Sequence, residues 1–222
     1  MTTYNRENPS SRYREILGYY RQMHVHGDPE QNVPPAKMFD GKSLPQHAGV
    51  IRALISETNA KTILDYGSGK GHYYSTKIES GDGTHYPDLQ AYWGVEEITC
   101  YDPGYEPFAK LPEGPFNGVI STDVLEHCPD EDLSWIIGEI FSFALAFVYL
   151  NVCTLPAVRL LPNGENAHCT IRPTEWWVSL IDGIHVQYPH LRYFLSLLAE
   201  RTQPDGQVIK KKLLHRCAPL VP

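Results

Sequence analysis

The stretch Thr62-Ile-Leu-Asp-Tyr-Gly-Ser-Gly-Lys-Gly71 constrains the fold of this 222-residue chain more than any other. Its first residues form a short, β-branched, apolar run of the kind that makes a buried strand. The run closes on a carboxylate, Asp65, and then glycine takes every second position: Gly67, Gly69 and Gly71. Glycine adopts positive φ at little steric cost and lets main chain come close to a neighbour. The pattern therefore predicts a tight turn at the carboxyl end of a strand. It also predicts a helix over 70–80 whose first amides, with Ser68, face a ligand.

The rest of the chain alternates strand-like and helix-like segments. A helix is expected from Ser10 or Ser11 to about His24, with Tyr13, Ile16, Leu17, Tyr20 and Met23 on one stripe. A turn-rich linker follows, in which Pro34 and Pro35 forbid helix. Ser43 and Gln46 resemble a capping box for a helix over 44–58. Residues 80–93, with Gly81, Gly83 and Pro87, read as an exposed insertion. Further strands are expected at 94–102, 116–121 and 147–154, and helices at 130–147 and after Pro173. The two last apolar segments flank Pro204-Asp205-Gly206, a turn signal, and read as an antiparallel hairpin. This alternation predicts an α/β fold with a mostly parallel, Rossmann-like sheet. Such sheets bind ligands outside the carboxyl ends of their strands, here 65–71, 102–105, 121–128 and 151–170.

Composition narrows the partners. With 42% hydrophobic residues the chain can bury an ordinary single-domain core. Its formal charge of −7 disfavours a large nucleic-acid footprint, and Lys210, Lys211 and Lys212 read as a solvated strand end. Five cysteines, an odd number with no C-x-x-C pair, point to a reducing, cytoplasmic setting. Closely spaced metal-ligand pairs are also absent, so no metal is expected. The longest apolar stretch, 136–152, is broken by Gly138, Glu139, Ser142 and Asn151, which argues against a membrane span.

The glycine pattern is D-x-G-x-G-x-G, not the G-x-G-x-x-G of dinucleotide sites. A carboxylate two residues before the first glycine repels a pyrophosphate and suits a cation or a hydroxyl or ammonium donor. S-adenosylmethionine (SAM) has a sulfonium, an α-ammonium and a ribose, and no phosphate. Asp102, at the end of the second long strand, can accept from ribose hydroxyls.

Taken with "YDPGY" and "GVISTDVLEHCPDEDL", the "LDYGSGKG" stretch resembles the class I SAM-dependent methyltransferases that act on small molecules. "YYRQMHVHG", "FDGKSLPQHAGVIRALI" and "GENAHCTIRPTEWW" resemble a bacterial subgroup of that family. The resemblance implies a SAM-binding domain over 43–222, with the helix and linker of 1–42 as a lid. It implies that Asp65, Gly67, Ser68, Gly69 and Gly71 line the cofactor, that Asp102 holds its ribose, and that Asp123 and Val124 lie alongside. Glu126 and His127 fall at the pocket mouth. The family's third strand has no clear counterpart, because only about a dozen residues separate Asp102 from the strand at 116. The acid that follows that strand is missing with it, and Asp123 is the available substitute.

Methyl transfer to an oxygen or nitrogen is an in-line displacement that needs positioning and dry surroundings. His127 and His168 are the candidate general bases. Asn166, Arg172, Tyr20 and His24 are the candidate substrate contacts. A small-molecule acceptor and a monomer or homodimer are expected. The alternatives are a nucleic-acid amino-methyltransferase, for the likeness of Asp102-Pro-Gly-Tyr105 to D-P-P-Y, and a non-catalytic SAM-binding module.

Overall fold

A computed structural model of the chain describes residues 4–202 and 207–219. Strand β1, Thr62–Tyr66, lies inside a six-stranded sheet. A minor hairpin, β2 (Ile78–Glu79) with β3 (His85–Tyr86), stands apart from it. The other sheet strands are β4 (Glu97–Tyr101), β5 (Phe116–Thr122), β6 (Ala144–Cys153), β7 (Arg192–Thr202) and β8 (Val208–Cys217). Their order is β4-β1-β5-β6-β7-β8, parallel throughout except for the β7–β8 pair. The expected α/β fold and C-terminal hairpin are therefore present. The Pro204-Asp205-Gly206 turn lies outside the described residues.

The central strands are apolar without alternation because both faces are covered. Leu64, Val119, Val148 and Leu150 face α4 (Asp130–Ser142) and α5 (Thr174–His185). Their neighbours Ile63, Ile120, Phe147 and Tyr149 face α2 (Ala48–Thr58) and α3 (Leu89–Trp93). Helix α1 (Ser11–His26) is capped by Ser10, whose hydroxyl accepts from the Tyr13 amide at 2.9 Å. It docks edge-on through Tyr13 against Trp135 of α4.

Between Asp102 and β5 the chain makes one 3₁₀ turn, Glu106–Phe108, and no strand, so β4 is the sheet edge. Chain connectivity reverses direction between β1 and β5. That reversal is the topological switch point at which such sheets open a crevice.

Three local expectations change. No helix follows the glycine turn: a single 3₁₀ turn, His72–Ser75, leads into the minor hairpin. The cause is tertiary, since Tyr74 turns back to donate to Asp65 at 2.7 Å. Residues 80–93 are not wholly exposed, because α3 buries Leu89 and Trp93, and the Trp93 indole donates to the Ala48 carbonyl. Ser43 is not a side-chain cap: a 3₁₀ turn, Leu44–His47, with Pro45 in its first turn, precedes α2. Near the N-terminus, polar residues are tied down as well. The Arg6 guanidinium pairs with Glu139, donates to the Tyr66 hydroxyl and lies over the Trp135 ring. No helix among the described residues is long and apolar enough to cross a membrane.

Candidate active site

A cavity of about 780 Å³ runs over the carboxyl ends of the parallel strands. Its floor at the switch point is the glycine turn after β1 and Thr122–Val124 after β5. Tyr13, Tyr20 and His24 of α1 wall one side. The strap 37–47 crosses beside them, with Met38 fully buried against α1 and Phe39 against Tyr20 and His24.

The glycines serve contacts within the protein. Gly67, at φ +87°, sits so close to Val124 that a Cβ would lie 2.4 Å from its Cγ2. Gly69, at φ +57°, leaves no room beside the Phe39 carbonyl, and Gly71, at φ +62°, lies near Cys100. Every amide of the turn is engaged. Gly67 and Ser68 donate to the Tyr101 carbonyl, Gly69 to Asp102, Lys70 to Phe39 and Gly71 to Ser68. The expected row of free helix-start amides does not exist, because no helix begins there and the turn folds onto its own neighbours.

Asp65 is the unsatisfied group at this floor. It is 3% exposed; Oδ2 accepts from Tyr74 and Oδ1 has no partner. Burial, with Asp102 nearby, pushes its carboxyl up to about 7 against the opposing Tyr74 bond. Asp102 also lines the cavity and accepts from Gly69 at 2.9 Å and from Gly104 at 2.8 Å. Each of its oxygens keeps a second lone pair for a hydroxyl donor. Burial raises its pKa too. Asp123, in the left-handed region at φ +55°, and Val124 both line the floor.

Of the expected base and substrate residues, four line the cavity: Tyr20, His24, His127 and His168. The Tyr20 hydroxyl lies 2.6 Å from His127 Nδ1, which is also 2.8 Å from the Ala167 carbonyl. Burial and His168 push His127 down to about 3. His24 is buried, stacked on Tyr105, and pushed down to about 4 by burial and Lys70. His168 Nδ1 lies 2.5 Å from the Leu155 carbonyl, so its proton sits there and Nε2 is left with a lone pair. Burial lowers its pKa, opposed by that carbonyl and by Asp123.

Three expected site residues do other work. Arg172 is outside the cavity, paired with Asp130 and stacked over Trp176. Asn166 spends its amide on the Ala157 amide and carbonyl and the His168 amide, which fixes the loop. Glu126 is fully buried and away from the mouth, with Oε1 accepting from the Cys153 amide at 2.7 Å. Its Oε2 has no partner, and burial, with Asp123 nearby, pushes its carboxyl up to about 8.

An acid whose pKa rises on folding loses stability as pH climbs from its unfolded to its folded value. Glu126→Gln keeps the acceptor for Cys153 and removes that loss. Urea unfolding is expected to find the variant more stable than the parent at pH 9, with the gap closing toward pH 5.

No family model matches the chain, and no curated protein matches it. Solved structures similar to it include Burkholderia thailandensis 1,6-didemethyltoxoflavin-N1-methyltransferase, with bound 1,6-didemethyltoxoflavin and S-adenosylhomocysteine. The identity is 14% over 94% of this chain and 91% of that one, with a TM-score of 0.49. They also include a DhpI–SAH complex, at 13% identity over 90% of this chain and 80% of that one, with a TM-score of 0.35.

Sequence reading missed a second group of cavity residues. Lys37, Lys42, Lys210 and Lys212 line the cavity too, so the basic run on β8, exposed to solvent as expected, also borders the crevice. Strand alternation carried that signal, because Lys210 and Lys212 must share a face. His47 also lines the cavity, 2% exposed, and nothing in its local sequence marks it.

Proposed function

We propose that the chain is a SAM-dependent methyltransferase acting on a small molecule, with the cofactor held at the switch point between β1 and β5. The observation that carries this reading is Asp65. A buried carboxylate with an orphaned oxygen at a ligand crevice calls for a cationic or hydrogen-donating ligand. The ammonium of SAM meets that demand, and Asp102 offers free lone pairs to ribose hydroxyls. The fully engaged amides of the glycine turn offer nothing to a pyrophosphate, which disfavours a dinucleotide. A cavity of about 780 Å³ has room for a cofactor and a small acceptor together.

When bound, SAM supplies a methyl group already activated by its sulfonium. The chain must hold the acceptor in line, keep water out and take a proton where the acceptor has one to lose. Aromatic rings of α1 and the strap exclude water, and residues 1–42 serve as the lid. His168 is the better base. Neutral pH leaves its Nε2 unprotonated, and the Leu155 carbonyl and Asp123 stabilise the imidazolium that forms. His127, pushed down to about 3, stays neutral and positions Tyr20. Asp102-Pro-Gly-Tyr105 ends β4 with its carboxylate tied to turn amides, which does not favour the nucleic-acid alternative.

Calorimetry with SAM and S-adenosylhomocysteine tests the binding half. Transfer of labelled methyl groups from SAM into a pool of small metabolites tests the catalytic half, and binding without transfer would identify a non-catalytic module. His168→Ala is expected to cut transfer at least about a hundredfold while S-adenosylhomocysteine affinity changes little. Equal loss of both would move His168 into the cofactor site.

A further inference from the structure

We propose that the methyl acceptor is an anionic small molecule, carrying a carboxylate or phosphate that docks on His47, Lys210 and Lys212 at the β8 end of the cavity. The word acceptor rests on the methyltransferase reading; the anion site itself does not.

His47 ends the 3₁₀ turn before α2, and its Nδ1 lies 2.6 Å from the Tyr149 hydroxyl. A phenol is the stronger acid and an imidazole nitrogen the stronger base, so the hydroxyl donates. Asn151 Nδ2 reaches the Ser196 hydroxyl at 3.3 Å, beside Tyr149 in the β6–β7 pair. The Tyr149 bond fixes the His47 tautomer and leaves Nε2 carrying a proton. That Nε2 is buried and has no partner. A buried donor without an acceptor, on a residue that lines the cavity, is costly unless a ligand supplies one.

Four lysines line the cavity with it, alongside the carboxylates of Asp40 and Asp123. Lys212 donates to Gln46, the neighbour of His47, at 2.9 Å and keeps two further N–H groups. Lys212 and burial together hold His47 neutral, pushed down to about 4. Lys210 sits on the same face of β8, and Lys37 and Lys42 approach from the strap. Among the described residues none of these four lysines is in an ion pair. In a chain of net charge −7 this is a local reversal of field. The carboxylates proposed for the cofactor stand on β1 and β4. Strand β8 is four strand spacings from β1, about 19 Å at the usual separation. The β1–β4 side of the cavity thus offers carboxylates to a cation, and the β8 side offers lysines to an anion.

The test is ligand-observed NMR on the full chain with matched probes: benzoate against benzamide, 4-hydroxybenzoate against 4-hydroxybenzamide, and phenyl phosphate against phenol. It is run with and without S-adenosylhomocysteine, so a failure of cofactor binding in calorimetry stays separate from a failure of the anion site. At least one acid is expected to bind about tenfold or more tightly than its neutral partner. The carboxylate and phosphate arms show which anion fits. Lys210→Gln with Lys212→Gln is expected to erase that preference and leave S-adenosylhomocysteine affinity unchanged. His47→Phe should do the same, and the lysine pair carries the test if that variant fails to fold. Neutral probes binding as well as acids, no acid binding at all, or acid binding indifferent to the lysine pair would overturn the proposal.

Discussion

Asp65→Asn is expected to make the ligand-free protein more stable and its cofactor binding weaker. The unfolded chain ionises this carboxyl near pH 4, whereas burial in the folded state holds the proton until about pH 7. Over that window the folded state binds more protons than the unfolded one, so stability falls as pH rises and levels off above 7. The loss is on the order of a few kcal/mol. Asparagine keeps an acceptor for Tyr74 and never ionises, so its stability curve lacks that decline. Thermal melts should show the variant ahead of the parent at pH 8 and level with it near pH 4. Binding moves the other way. A cationic ligand selects the ionised carboxylate, so parent affinity for SAM should rise by up to about tenfold per pH unit below 7 and flatten above it. The variant should lack this slope and bind about ten- to a hundredfold more weakly at pH 8. A variant that binds SAM as tightly as the parent would remove Asp65 from the cofactor site.

What was legible in the sequence followed from burial. Ile63-Leu64, Val119-Ile120 and Val148 to Leu150 are apolar on both faces because a parallel sheet is covered on both sides, and they gave the strands and their order of use. Ser10 and Pro173 marked helix starts by local chemistry that tertiary structure did not override. The short gap after Asp102 correctly foretold the absent strand. The misreadings share a different cause. The helix expected after Gly71 yields to a side-chain bond between Tyr74 and Asp65, residues nine apart whose meeting no periodicity encodes. Asn166 and Arg172 were chosen for polar heads in a polar loop, but those heads satisfy the loop's own amides and a neighbouring carboxylate. His47 shows the limit most clearly. Its role depends on Tyr149, more than a hundred residues away, and on a lysine of the last strand.

Gly69→Ala is expected to abolish cofactor binding while leaving the sheet folded. The new Cβ would lie 2.2 Å from the Phe39 carbonyl oxygen and 3.1 Å from its carbon. That carbonyl accepts the Lys70 amide at 2.9 Å, and Phe39 itself holds φ at +50°. The obstacle is main chain on both sides, so no rotamer change relieves it. The left-handed backbone adds about 1 kcal/mol for any residue with a Cβ. The cheapest escape is to lift the strap, which withdraws Phe39 from Tyr20 and His24 and opens the cavity to water. S-adenosylhomocysteine affinity should fall by about a hundredfold or more, and amide exchange should quicken over 37–47 but not in β5 or β6. Gly67→Ala meets side chain instead of main chain, with both Val124 methyls at 2.4 and 2.8 Å and the Val124 Cβ at 3.1 Å, so Val124 itself must shift. Gly81→Ala, with nothing within 4 Å, should change neither readout. Wild-type affinity in Gly69→Ala would mean that the strap does not need to sit on the glycine turn for the cofactor to bind.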